Sequence, residues 1–95
     1  MKAATAPPPT EGAIWARIVD PEAGDLTHSA AQTLLRFDFQ PGDRERMNEL
    51  AEKARAGTLT ARERREAETF NRVAHLLALL HSKARQSLGR SGKRR

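Results

Sequence analysis

The ionisable side chains of this 95-residue chain are three histidines, twelve carboxylates and seventeen Lys or Arg residues, with no cysteine and no tyrosine. Metal binding by histidines on one helix needs them on one face, typically four residues apart. His75 and His81 are six apart, which puts them on different faces of one helix, and His28 stands alone in the first turn of another. General acid–base work needs two carboxylates in unlike environments within a cleft. Glu45, Glu49 and Glu52, and again Glu63, Glu66 and Glu68, alternate instead with Arg and Lys, the pattern of solvated ion pairs. Gly42 and Gly57 stand singly as helix punctuation, so no glycine-rich phosphate loop is present. The residues therefore predict a non-enzymatic protein with no metal, no cofactor and no small-molecule substrate.

Positive charge is the one ionisable feature with a direction. The net charge is +5, and residues 83–95 carry six basic side chains (Lys83, Arg85, Arg90, Lys93, Arg94 and Arg95) with no acid among them. Residues 1–60 hold nine acids against seven bases. A basic end of this kind is attracted to polyanions, so these six residues are candidate nucleic-acid contacts. A solubilising tail is the alternative reading.

Elements that could position these groups are helical. Thr27 is the expected N-cap of a short helix whose Ala30, Ala31, Leu34 and Leu35 share one face. A first long helix over about 41–56 carries Met47, Leu50, Ala51 and Ala54 at i, i+3, i+4, i+7, opened by Pro41 and closed by Gly57. Thr60-Ala61-Arg62-Glu63 matches the reciprocal capping box and starts a second long helix running to about residue 88. The short connection between them predicts an antiparallel helical hairpin. Ala13 to Val19, β-branched and aromatic between Gly12 and Pro21, predicts an extended N-terminal arm anchored by Trp15. Trp15 reads as core packing, with a nucleobase-stacking platform as the alternative.

The second long helix changes character along its length. Residues 62–72 are mostly charged; from Phe70 a seam forms at 70, 73, 77, 80 and 84, flanked by Leu76 and Leu79. This arc is wider than the first helix can cover. Trp15, Phe37, Phe70, Val73, Leu76, Leu77, Leu79, Leu80, Ala84 and Leu88 are thus the candidate protein-binding residues, for a partner or for a second copy. Burying four or five such side chains is worth ~1.5–3 kcal/mol each. The expected organisation is a disordered tail over 1–12, one mainly α domain over 13–88, and a basic disordered tail over 89–95. Met1 and Lys2 lead into Ala, Thr and Pro rather than an apolar run, and the longest apolar run (73–80) is far short of the ~20 residues a bilayer requires. No secretory signal and no membrane partner are expected, and a cytoplasmic location follows as the expectation.

Residues 46–66 and 76–85 resemble a group of small bacterial helical proteins. The shared form is L-x-E-K-x-x-x-G-x-L-T-x-x-E-R, met here from Leu50 through Gly57, Leu59 and Thr60 to the Glu63-Arg64 region, followed by L-L-x-L-L-x-x-K-A-R at residues 76–85. Members of that group are often expected companions of small nucleases of the HNH type. The resemblance implies an antitoxin-like or accessory role, and it carries over no catalytic residue.

Overall fold

The computed structural model describes residues 8–93, with side chains described through residue 89. Four α-helices and one short 3-10 turn follow in order: α1 (Glu11–Val19), the turn Pro21–Ala23, α2 (His28–Leu35), α3 (Pro41–Ala56) and α4 (Ala61–Lys93). No strand occurs among the described residues. The mainly α expectation holds.

The start signals of the helices act as their residue types dictate. Thr27 Oγ1 accepts the Ala30 amide, and Thr10 Oγ1 accepts the Ala13 amide, so each caps an N-terminus. Pro41 opens α3, where its missing N–H costs nothing. Gly57 closes α3 with φ +72°, a left-handed conformation that a side chain would strain. Thr60 and Glu63 form the capping box in both directions: the Thr60 amide donates to Glu63 at 3.1 Å, and the Glu63 amide donates to Thr60 Oγ1 at 3.0 Å.

The expected extended arm is a correction. Residues 11–19 are helical, because Thr10 supplies a cap and because α4 offers a surface to lie on. Helical spacing puts Gly12, Trp15, Ala16 and Val19 on one face, turned toward α4, and Val19 is buried. Ile14 and Ile18 occupy another face and stay exposed, Ile18 at 65 %. β-branched residues disfavour a helix only slightly, and tertiary contact overrides that preference. Two further boundaries shift. Glu11 and Gly12 already belong to α1, and α4 continues as helix to Lys93 instead of stopping near residue 88. Residues 1–7, 94 and 95 lie outside the described residues.

α4 is the element on which α1, the 3-10 turn, α2 and α3 all pack. At 1.5 Å per residue its 33 residues span about 50 Å. The described residues extend over 53 × 51 × 16 Å. The radius of gyration of 17.5 Å exceeds the ~12 Å of a compact chain of this length. The fold is open, and burial is correspondingly thin. Val19, Ala31, Leu50 and Ala84 are the buried apolar residues, and no large side chain is fully enclosed among the described residues.

Candidate functional site

The candidate site is the set of incompletely covered apolar surfaces flanking α4, and polar locks decide which parts are left open. On one flank, residues about 61–64 apart meet in register. Arg72 faces Glu11 at 3.8 Å, the ring of His75 lies where a Cβ on Gly12 would point, and Lys83 reaches Val19 and Asp20. α1 therefore runs parallel to α4. Lys83 Nζ donates to the Val19 carbonyl at 2.7 Å and the Asp20 carbonyl at 3.2 Å, and pairs with Asp25 at 2.8 Å. A lysine here satisfies carbonyls at the end of α1, where the helix leaves acceptors unpaired.

Ser87 makes the second lock. Its Oγ accepts the Leu26 amide at 3.1 Å and donates to the Lys83 carbonyl at 2.8 Å. Beyond it α2 runs back along α4, so that the Phe37 carbonyl meets His81 Nε2 at 2.7 Å. Ala31 and Ala84 are both wholly buried, and small side chains of this kind let backbones come close.

The third region joins α3 to the start of α4 by charge. Arg46 reaches both Glu66 oxygens, at 2.8 and 2.9 Å, in the forked geometry that suits a carboxylate, and it also touches Glu49 and Glu63. Lys53 Nζ lies 3.0 Å from Glu63. The Thr60 amide first, then Lys53, hold the Glu63 carboxyl down at about 2. Arg46 lowers Glu66 likewise, and Glu66 and Glu49 hold the Arg46 guanidinium firmly charged. Asp38 is lowered chiefly by the Phe39 amide, with Arg44 adding to the effect. All these carboxylates are tied to fixed partners, which makes them poor proton donors near neutrality.

Open grooves remain beside α4, and two of them flank its apolar arc. The first, about 450 Å³, is walled by Phe37, Phe39, Val73 and Leu77, with Phe37 51 % and Val73 49 % exposed. Phe39 meets Phe70 edge-to-face at 6.3 Å, fixing the wall nearest α3. The second, about 500 Å³, lies between α1 and α4, with Trp15, Ala16, His75 and Leu79 around it and Asn71 and Arg72 on its rim. Trp15 thus sits with α1 on a different flank from the Phe37–Phe70 cluster that the sequence had grouped it with.

The sequence-derived residues divide accordingly. Leu76, Leu77, Leu79, Leu80 and Leu88 are half-buried, neither enclosed nor bare. Ala84 is interior, so its place on a partner-facing surface is revised. Lys83 is also revised: its side chain is only 14 % exposed and its charge is spent on α1 and Asp25. Arg85 is exposed; Arg90 and Lys93 continue the helix, while Arg94 and Arg95 lie outside the described residues. Sequence reasoning missed Gly12, Asp20 and Ser87. The Asp20-Pro21 pair, with Asp20 left-handed in the structure, is the sequence signal for a helix end there.

Among the described residues no cluster of three His, Asp or Glu side chains is placed to hold a metal ion, and no helix is long and apolar enough to cross a membrane. No protein-family model matches this chain, and neither a curated protein nor a solved structure matches it.

Proposed function

We propose that this chain is a non-enzymatic protein–protein interaction module, an antitoxin-like or accessory partner of a nuclease. The observation that carries the reading is the half-covered seam of α4, where Val73 and Phe37 remain about half exposed although three other helices already lie against that rod. A contiguous apolar surface left open in this way is the common mark of a contact site. We read α3 and α4 as an antiparallel pair, since Lys53 meets Glu63 while Arg46, earlier in the chain, meets Glu66 further on. That pair presents Leu77 and Val73 beside Phe37. The resemblance of residues 46–66 and 76–85 to small helical companions of HNH-type nucleases is what nominates a nuclease as the partner.

Light scattering on the purified chain mixed with an HNH-type nuclease from the same source tests this. The complex should persist at ~1 M salt, where the Debye length falls to ~3 Å. Leu77→Glu should abolish it while leaving the helical circular dichroism signal intact. A chain that forms no complex with the nuclease, and whose particle mass is untouched by Leu77→Glu, would remove the basis for the reading.

A second reading rests on the unbroken continuation of α4 to Lys93, past the Ser87 lock, with Arg90 and Lys93 on that extension and Arg85 exposed before it. Such an end could serve a nucleic-acid-associated or ribonucleoprotein component. Its affinity for a nucleic acid would then fall steeply with salt and disappear on truncation after residue 88.

A further inference from the structure

We infer that the groove between α1 and α4 receives an extended proline segment, and that its occupant is the triplet Pro7, Pro8 and Pro9 of a second copy of this chain. The groove lies on the opposite flank of α4 from the Phe37–Val73 surface, so the two proposals stand or fall separately.

The chemistry of the groove selects the class of occupant. Its walls are an indole, an imidazole, a leucine and alanines; Trp15, Asn71 and Arg72 bring donors, against which Glu11 is the one carboxylate in the lining. A polyproline segment has the matching deficit. It is apolar, it has no N–H on its proline residues, and its carbonyls are free of internal hydrogen bonds. A docked helix would bring backbone groups already paired, and an ordinary strand would bring N–H groups that need acceptors. Aromatic-lined grooves are the usual receptors for proline segments because the ligand is pre-ordered. The Trp15 donor is available for exchange, since its present bond to Glu11 is long at 3.4 Å and exposed. Arg72 lies 3.8 Å from Glu11 and donates to Thr69 Oγ1 at 3.3 Å, both exposed contacts that water can replace.

Length agrees as well. From Asn71 to Leu79 the groove follows α4 for eight residues, about 12 Å. Three prolines in a left-handed extended helix span about 9 Å. The triplet cannot fill the groove of its own chain, because Thr10, the next residue after Pro9, is part of the groove wall and caps α1. Each proline also restricts the residue before it to extended conformations, which forbids a reversal within the triplet. A second copy has no such constraint. Each copy carries one triplet and one groove, so reciprocal exchange closes at two.

Trp15 is the single tryptophan, which makes the test direct. The full chain is weighed by light scattering across a concentration series, beside the triple variant Pro7→Ala, Pro8→Ala, Pro9→Ala, and both are titrated with a synthetic peptide of sequence ATAPPPTE. Pro8 and Pro9 precede the Thr10 cap of α1, and circular dichroism checks that the fold is kept. The expected result is a wild-type dimer, at least ten-fold weaker self-association in the triple variant, and a saturable change in Trp15 emission on peptide addition as the dimer splits. A peptide with alanine in place of the three prolines should leave the emission unchanged. Equal self-association of wild type and variant overturns the proposal, as does Trp15 emission indifferent to the peptide. A chain that binds the peptide yet stays monomeric at every concentration overturns the second copy as occupant.

Discussion

The two ends of α4 are held by opposite means. At its start, the Thr60–Glu63 capping box fixes the first turn, and charges join it to α3: the Arg46 fork on Glu66 and Lys53 on Glu63. Toward its far end, Lys83 and Ser87 hold α1 and the approach to α2 through backbone carbonyls and an amide, over an interior of Val19, Ala31 and Ala84. The first junction is local in sequence, with partners 3 to 20 residues apart. The second closes contacts 61 and 64 residues apart. Exposed charge pairs weigh little because water competes for them, whereas a backbone acceptor stripped of its donor inside a contact is costly. The far junction should therefore be the more brittle toward single polar changes, and the near one should lean on its one buried leucine.

The sharpest blow to the near junction is Leu50→Ala. Leu50 is 3 % exposed and the largest of the buried apolar residues, and its loss should cost about 2–3 kcal/mol in urea unfolding. At the far junction, Lys83→Met keeps the stem but removes the donor from the Val19 and Asp20 carbonyls. It should cost about 2 kcal/mol, with amide exchange accelerated first across residues 11–20. An equal loss from Lys83→Met and from Arg46→Met would erase the proposed contrast.

Smaller effects sharpen it. Thr60→Ala should cost about 1 kcal/mol through the lost cap. Glu63 gives that junction a pH signature. Its folded carboxyl titrates at about 2 against an ordinary 4.5, so its contribution is whole above about pH 4.5 and drains away as pH falls toward 2. Glu63→Gln should flatten that part of the stability curve, followed by urea midpoints between pH 2 and 6. The least effect belongs to Gly12→Ala. A Cβ there meets His75 Nε2 at 2.8 Å, which offsets the gain in helix propensity, so the net change should be under about 0.5 kcal/mol. Paired with His75→Ala, which clears the space, the gain itself should appear. Comparing the single and double variants measures how firmly α1 is seated.

What was legible in the sequence follows the same division. Thr27, Pro41, Gly57 and the Thr60–Glu63 box each signal through neighbours within a few residues, and each does in the structure what its type implies. Residues 13–19 read as extended in the sequence because Ile14, Trp15, Ile18 and Val19 carry β preference, and nothing nearby in sequence reveals that Lys83 bonds the end of α1 and His75 lies against Gly12. Lys83 was read as part of a basic tail for the same reason: its carbonyl partners lie 63 and 64 residues upstream. The breadth of the apolar arc on α4 is visible in the spacing, but not which parts of it α1 and α2 cover, because their partners on α4 lie 44 or more residues away.

Because α1, α2 and α3 all pack on α4, its place in the chain has a consequence for biosynthesis. The three shorter helices leave the ribosome before the rod they rest on exists. Each is no more than 16 residues, near or below the length at which a solitary helix persists in water. Stepwise folding from the N-terminus is thus closed to this polypeptide. Nascent-chain experiments should show protease resistance arriving late and all at once, when the segment around Lys83 and Ser87 emerges.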